Sequence, residues 1–421
     1  MHSYQHLIKV FFSGLMLLSF FTPNGFAESK ADSKAEPSAS APKKAPKKTK
    51  SSVQVSGLMQ SAIGWTSPKD ETLDARPLLG VYRARFWVRG SVNKKASYAL
   101  HFAFDRAGID QEALLMGKSL NDLRAPALQD AILHYHILPK QKLILSSGFL
   151  RPKVGHENNS VVITMPNLEP TFSSTLVRRA TTDTGHGRSS GFNLGHLSTF
   201  GAYHLQAHAG VFMPPALGTS NKTSQGEKMS PLMAGTLSLG WGSLNKMRNQ
   251  NLLFVFNPLK KARSIEVGAS FAQHGETNRL KYSRVFSTHL MAQLDHLLFD
   301  AEWVQAYRES LAGEGLDNFA WHVRAAYNVK LGKRQLTPFV IYSELKGSEL
   351  SQSEFEDADL SSLNLFAGKR QLTDVGLHYH LNKRKLRLGL HGIYSTGSDD
   401  DLTRLPARTG WTGLLTLHMH I

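Results

Sequence analysis

From Val53 onward, apolar and polar residues alternate with a period of two, in stretches of about ten residues recurring roughly every 20–25. Between Val81 and Gly90, Tyr82, Ala84, Phe86, Val88 and Gly90 share one face, and Val81, Arg83, Arg85, Trp87 and Arg89 share the other. Tyr98, Leu100, Phe102 and Phe104 alternate with Ala99, His101, Ala103 and Asp105. Phe319, Trp321, Val323, Ala325, Tyr327 and Val329 alternate with Ala320, His322, Arg324, Ala326, Asn328 and Lys330. Leu386, Leu388, Leu390 and Tyr394 alternate with Lys385, Arg387, Gly389, His391 and Ser395. These are strands with one greasy and one polar face, long enough to cross a bilayer when tilted.

The pattern predicts strands beginning near Val53, Leu79, Ala96, Leu128, Lys142, Ser190, Ala202, Asn249, Ile265, Arg284, Leu297, Phe319, Leu336, Gln371, Lys385 and Gly410. That set is even in number, as a bacterial single-chain barrel requires, and sixteen strands leave an aqueous channel. Leu232 to Trp241 alternates only weakly and is read as part of a long external loop, with Asn251 to Asn257 as the neighbouring strand. The expected fold is all-β: a transmembrane antiparallel β-barrel over residues 53–421.

The connections alternate in length. Short ones hold Asn93-Lys94-Lys95, Pro139-Lys140, Pro258 to Lys261, Gly332-Lys333-Arg334 and Asn382-Lys383-Arg384. Long ones run Thr66–Leu78, Ala107–Ala127, Arg151–Ser189, Pro214–Arg248 and Gly347–Arg370. Short periplasmic turns and long outer loops are the asymmetry expected of such a barrel. Phe86, Tyr98, Tyr135, Tyr203, Trp321, Tyr327, Tyr379, Tyr394 and Trp411 lie near strand ends, as interfacial girdles require, and Trp87 falls on the lumen face.

Residues 1–27 read as a secretory signal. Lys9 precedes an apolar run from Val10 to Phe21, and Gly25-Phe26-Ala27 supplies small residues for cleavage after Ala27. The run is short of the ~20 residues a spanning helix needs. No later stretch is longer, so a membrane location rests on a closed barrel. Residues 28–52 consist almost wholly of Ala, Lys, Pro, Ser and acids and are expected to be a disordered periplasmic leader.

Hydrophobic residues make up 41% of the chain and mean hydropathy is −0.26, values that suit a barrel whose inner half faces water. Cysteine is absent, which excludes thiolate metal sites and thiol catalysis. The formal net charge is +16, of which residues 1–52 carry +5, leaving +11 for the barrel segment. For an exported chain, small anions and a membrane surface are the partners to expect, and nucleic acid is not.

The positive charge is placed to line a pore. Arg83, Arg85 and Arg89 form a ladder on one strand face, and Arg324, Lys330, Lys385 and Arg387 add lumen positions from distant strands. Cationic rings favour anions. Neutralisation by acids such as Asp105, Asp130 and Asp374 is the plainer alternative. The long third external loop carries Arg151, Lys153, Arg178, Arg179 and Arg188 against Glu157, Glu169 and Asp183. Folded inward, it narrows the pore and sets these cations in the solute's path; lying outside, it is surface only.

An ordered set of segments carries a family resemblance: Arg83-Ala84-Arg85-Phe86 with Gly90, Leu128-Gln129-Asp130-Ala131, Gly148-Phe149-Leu150-Arg151-Pro152-Lys153 with Glu157, and Arg188 to Gly195. In order and spacing it resembles the phosphate-selective porin O and P family, best between Arg83 and Phe212. The resemblance implies a sixteen-stranded homotrimeric outer-membrane barrel with its third loop folded inward and a preference for anions, phosphate-type anions among them. Phosphate selectivity in that family is associated with constriction lysines, and Lys153 is this loop's one lysine. The last strand, with Trp411, Gly413, Leu415, Leu417, Met419 and Ile421 facing lipid, resembles the assembly signal of outer-membrane proteins, which usually ends in an aromatic residue.

Histidines crowd the polar face, among them His101, His134, His136, His204, His208, His322, His378, His380, His391, His418 and His420. The pairs lie on separate strands, so a neutral polar lining is expected and no metal site or cofactor is. Two rival classes stand beside a porin. One is a non-conducting structural or adhesin barrel. The other is a barrel phospholipase built on His196-x-Ser198, although Gly201 to Pro215 holds no Asn, Asp or Glu to orient the histidine. No enzyme is expected.

Overall fold

The computed structural model describes residues 52–68, 76–104, 127–138, 142–160, 165–168, 170–182, 187–213, 230–242, 262–277, 280–311, 313, 315–348, 368–382, 385–397 and 409–421. The expected signal, nearly all of the leader, Asp105, Glu169, Asp183 and the stretch Asn251–Asn257 lie outside these residues.

The strands are β1 Ser52–Pro68, β2 Arg76–Ser91, β3 Ala96–Ala103, β4 Ala127–Leu138, β5 Leu143–Leu150, β6 Ser189–Phe200, β7 Tyr203–Met213, β8 Leu232–Gly242 and β9 Ala262–His274. They continue as β10 Leu280–Asp295, β11 Leu297–Ser310, β12 Gly315–Tyr327, β13 Val329–Leu331, β14 Arg334–Lys346, β15 Lys369–Asn382, β16 Leu386–Gly397 and β17 Gly410–His420. Both β12 and β13 pair with β14. They are one stave in a single register against β14, and the Asn328 backbone N–H between them donates to the His296 carbonyl at 3.0 Å, adding a rung to the β11–β12 ladder. Each stave pairs antiparallel with its neighbours in sequence, and β1 with β17 closes a sixteen-stave barrel.

Local chemistry makes the short turns. Asn93 Oδ1 accepts from the backbone N–H groups of Lys95 and Ala96, both at 2.8 Å, an Asx turn that reverses β2 into β3. Gly332 takes φ +61° in the two-residue turn that reverses β13 into β14.

One strand corrects the sequence reading. Leu232–Gly242 is β8, paired with β7 and β9, and not a loop. Its alternation is faint because its inner positions after Leu232 are Ala234, Thr236, Ser238 and Gly240, all small. Space explains this: the His204 ring lies where a Cβ on Gly240 would have to be.

The outer face is apolar around the ring, with Val55, Ile63, Leu133, Leu145, Phe192, Leu239, Val267, Phe286, Val340, Leu390 and Leu415 exposed. This is the surface lipid covers. Aromatic residues mark both rims. Near the long-loop end are Trp65, Phe319, Tyr342, Tyr394 and Trp411; near the short-turn end are Tyr135, Phe200, Tyr203, Trp241 and Tyr327. Tyr394 and Trp411 pack with ring centroids 4.9 Å apart across β16 and β17.

The core is inside the barrel. Residues 151–188, between β5 and β6, include a 3₁₀ turn Glu157–Asn159 and helix α1 Phe172–Thr182, which contacts β9, β10, β11, β12 and β14. Leu176, Val177 and Ala180 lie on one helical face and meet Phe212, Leu232, Ala272, Val285, Val304, Ala320 and Leu345 from the strands. Each such Leu or Val side chain buried contributes about 1.5–3 kcal/mol. Half of the inner wall near the loop end is therefore an apolar bed for the helix, where a uniformly wet lining was expected.

Candidate functional site

The segment is fastened to the wall by acids that neighbouring strands present inward. Glu302 on β11 accepts the backbone N–H of His156 at 2.6 Å and of Glu157 at 3.0 Å, and Ser287 Oγ donates to it at 2.9 Å. Asp300, two residues earlier on the same face, takes Arg324 Nε at 2.7 Å and Nη2 at 2.5 Å, a bidentate pair between directly opposed residues. The third Arg324 nitrogen donates to Asn167 Oδ1 at 2.6 Å, tying the ion pair to the segment.

Glu157 takes Asn167 Nδ2 at 2.9 Å and the Thr171 backbone N–H at 3.2 Å, at the entrance to α1, where a carboxylate complements the helix dipole. Burial would raise its pKa; Arg324, His322 and the Thr171 and Asn167 hydrogen bonds outweigh burial and hold it below the usual carboxylate range. On the far side, Arg83 donates to the Leu168 carbonyl, and Arg387 donates to the Met165 carbonyl at 3.4 Å. From β8, Thr236 donates to the Lys153 carbonyl. Bonds to β2, β8, β11, β12 and β16 reach strands around the ring.

The charges left accessible are mainly of one sign. Arg85 and Arg89 on β2, Arg151 after β5, and Arg178 and Arg179 on the α1 face turned from the wall are all half-buried. Among the described residues, one lumen-facing acid keeps comparable exposure: Asp130, held by Arg188 Nε at 2.9 Å and His101 Nδ1 at 2.8 Å. The other inward acids, Glu157, Glu266, Asp300, Glu302 and Asp374, are buried. Asp374 pairs with His391 and Glu266 with His204.

The cations crowd one another. Burial, with Arg188 and Arg178 adding to it and Asp130 opposing, lowers the Arg151 pKa well below the guanidinium norm. Arg178 is pushed down to about 10, chiefly by burial and by Arg188. Lys153 is pushed down to about 7 by burial, with Arg151 and Arg188 adding and Asp130 opposing.

The structure thus sorts the twelve residues singled out from sequence. Arg85, Arg151 and Arg178 come together on the accessible lumen, and Arg89 and Arg179 keep similar exposure on the same strand and helix. Arg83, Arg324 and Arg387 are buried and hold the inner segment; Arg188 is buried against Asp130, and Lys153 is nearly covered. Lys330 and Lys385 are not with them. Lys330 is exposed on β13 beside a turn, and Lys385 sits in the turn before β16. The fastening acids Asp300 and Glu302 went unnoticed in the sequence. Their signal was there: two acids at i and i+2 on the face opposite Phe299, Ala301 and Trp303.

His196 Nε2 lies 2.8 Å from Ser198 Oγ on the outer face of β6. Across the β6–β7 ladder the residues opposite are Ala207 and Leu205, neither of which can orient the ring by a side-chain hydrogen bond.

Comparison with known protein families and with curated proteins finds no match. Solved structures do match. An anion-selective porin from Comamonas acidovorans aligns with TM-score 0.55 at 13% identity, over 88% of this chain and 100% of its own. Salmonella typhi OmpF in complex with daunomycin aligns with TM-score 0.54 at 13% identity, over 88% and 97%. The trimer form of OmpT, an outer membrane protein of Vibrio cholerae, aligns with TM-score 0.50 at 12% identity, over 88% and 99%. The chain has the porin fold. At these identities the likeness establishes architecture, so what the porin fold does here rests on its own residues.

Proposed function

We propose that the chain is an outer-membrane porin through which small anions diffuse passively, with residues 1–27 removed on export and residues 28–52 left as a periplasmic leader. The reading is carried by the division of charge inside the barrel: arginines hold the accessible lumen, while the described inward acids other than Asp130 are buried in pairs with histidine or in fastening the inner segment. That segment narrows the lumen and brings Arg151 and Arg178 within electrostatic reach of Arg85, with Arg179 on the same helix and Arg89 on the same strand face. Cations preorganised around a constriction lower the barrier for anions and raise it for cations. The anion-selective porin among the matched structures supports the preference, and the trimer form of OmpT supports a homotrimer. Phosphate is one anion such a lining takes; a specific phosphate site has less support, because the one lysine of the segment is nearly covered.

Purified barrel in a planar bilayer under a tenfold KCl gradient should show a reversal potential of the sign chloride sets. A cation-signed potential would overturn the reading, and no conductance at all would favour the structural barrel.

Lys153 adds a pH dependence. With its pKa near 7, it is charged below that value and neutral above, so anion preference should rise as pH falls from 8 to 6. Lys153→Met should flatten this part of the curve and leave the arginine contribution, which does not titrate in that range. An unchanged slope in the variant would remove Lys153 from the account.

A further inference from the structure

Three histidines on consecutive strands converge inside the barrel: His378 on β15, His391 on β16 and His418 on β17. Each offers a ring nitrogen within 4.8 Å of the others. His378 stands 5.4 Å from His391 and 5.8 Å from His418, centroid to centroid. Gly389, opposite His378 in the β15–β16 ladder, makes the convergence feasible, because a Cβ there would run into the His378 ring and Thr416.

All three are buried, and the Nε2 atoms of His378 and His391 are buried with no hydrogen-bond partner. Unpaired buried nitrogens are costly unless something is meant to meet them. His391 Nδ1 lies 3.2 Å from both Asp374 oxygens. That contact puts its proton on Nδ1 and leaves the Nε2 lone pair aimed inward, the carboxylate–histidine arrangement that orients metal ligands.

His418 Nε2 lies 3.0 Å from Thr416 Oγ1 and 3.1 Å from the Gln60 amide of β1, and Arg387 Nη2 donates to Nδ1 at 2.8 Å. The Arg387 contact is the shorter and needs the lone pair on Nδ1, so the proton is on Nε2 toward Thr416, and Gln60 Nε2, itself a donor, makes no hydrogen bond to it.

We propose that His378, His391 and His418 form a binding site for one divalent transition-metal ion of the zinc or nickel class, oriented by Asp374 and guarded by Arg387. Neutral imidazoles suit these ions. Metal–nitrogen bonds of about 2.0–2.1 Å need the ring nitrogens roughly 3.4 Å apart, so the rings close by about an ångström as the ion arrives. The ion displaces Arg387 from His418. Arg387 also holds the Met165 carbonyl, so binding couples the wall beside the β1–β17 seam to the inner segment.

The test is zinc titration of the folded full-length barrel in detergent, read by competition with a chromophoric chelator, with cobalt(II) visible absorption reporting coordination geometry. About one ion per chain is expected, with a tetrahedral cobalt spectrum. Asp374→Asn should weaken binding by about 10–100-fold, and His391→Gln by more. Arg387→Gln should tighten it, because the competing cation is gone, and this outcome separates ligation from mere folding defects. His134→Gln, a buried lumen histidine on β4, should bind as the parent does. Failure to bind an equivalent at 100 μM zinc, binding undiminished in His391→Gln, or weaker binding in Arg387→Gln each overturns the site. None of these readouts depends on whether the barrel conducts.

Discussion

Asp300→Asn should destabilise the folded barrel by about 3–5 kcal/mol, the cost of leaving a buried cation without its carboxylate. Arg324 is fully buried, and Asp300 supplies both oxygens of its bidentate pair. Asn167 Oδ1 at 2.6 Å and a Glu157 oxygen at 4.0 Å stay beside the guanidinium, and neither replaces the two charge-assisted bonds that Asp300 makes. The effect should appear as a lower urea midpoint with unchanged slope. It should also appear as larger and noisier single-channel conductance, because Arg324 fastens Asn167 and through it the inner segment. Joint replacement of Arg324 and Asp300 by Met and Leu should recover much of the stability and not the quiet channel, since hydrophobic packing can replace a buried pair energetically without holding Asn167. A loss under about 1 kcal/mol in the single variant would show that the pair is better solvated than its burial implies.

Arg85→Glu combined with Arg89→Glu should invert or abolish the selectivity. The two positions share the lumen face of β2, four residues and so about 13 Å apart, and each exchange changes the local charge by two. Asp130 lies across β3, and Glu157, Asp300 and Glu302 stay buried, so the new carboxylates meet few existing acids. The chloride-to-potassium permeability ratio should fall by roughly tenfold, the low end of what a charged cleft does to local counter-ion concentration. The measurement belongs near 0.1 M salt, where the Debye length is about 10 Å, because 1 M salt shortens it to about 3 Å and hides the change. An unaltered ratio would place the selecting charges elsewhere in the lumen and return the preference to Arg151, Arg178 and Arg179.

The wall was legible in the chain. Period-two alternation is a local consequence of pleating: successive side chains point to opposite faces, so a lipid-facing residue can be told from its neighbours without knowing which strand lies beside it. Trp411, Leu415 and Leu417 are exposed on the outer face while Leu414 and Thr416 are buried inside, as that periodicity dictates. Turns such as Asn93-Lys94-Lys95 were equally local. Alternation is hidden where the local signal is weak by necessity. β8 keeps small residues inward because His204 crowds Gly240, and with no bulky polar residues to set against Leu237, Leu239 and Trp241 the alternation blurred.

Which cation stays accessible in the lumen was decided by tertiary structure alone. Arg85 and Arg324 look alike on an alternating strand, yet one is half-buried in the lumen and the other lies sealed between Asp300 and Asn167. The difference depends on where residues 151–188 come to rest, and that is set by contacts more than a hundred residues away in sequence, such as His156 to Glu302. The histidine triad is the same case: three residues spread over β15 to β17 become one cluster because antiparallel register sets His378 opposite Gly389 and His418 opposite Arg387. Alternation along a chain determines which side of a wall a residue faces. Only closure of the wall and the packing of the segment within it determine what that residue meets there, because the interior of a barrel is a shared space to which every strand contributes.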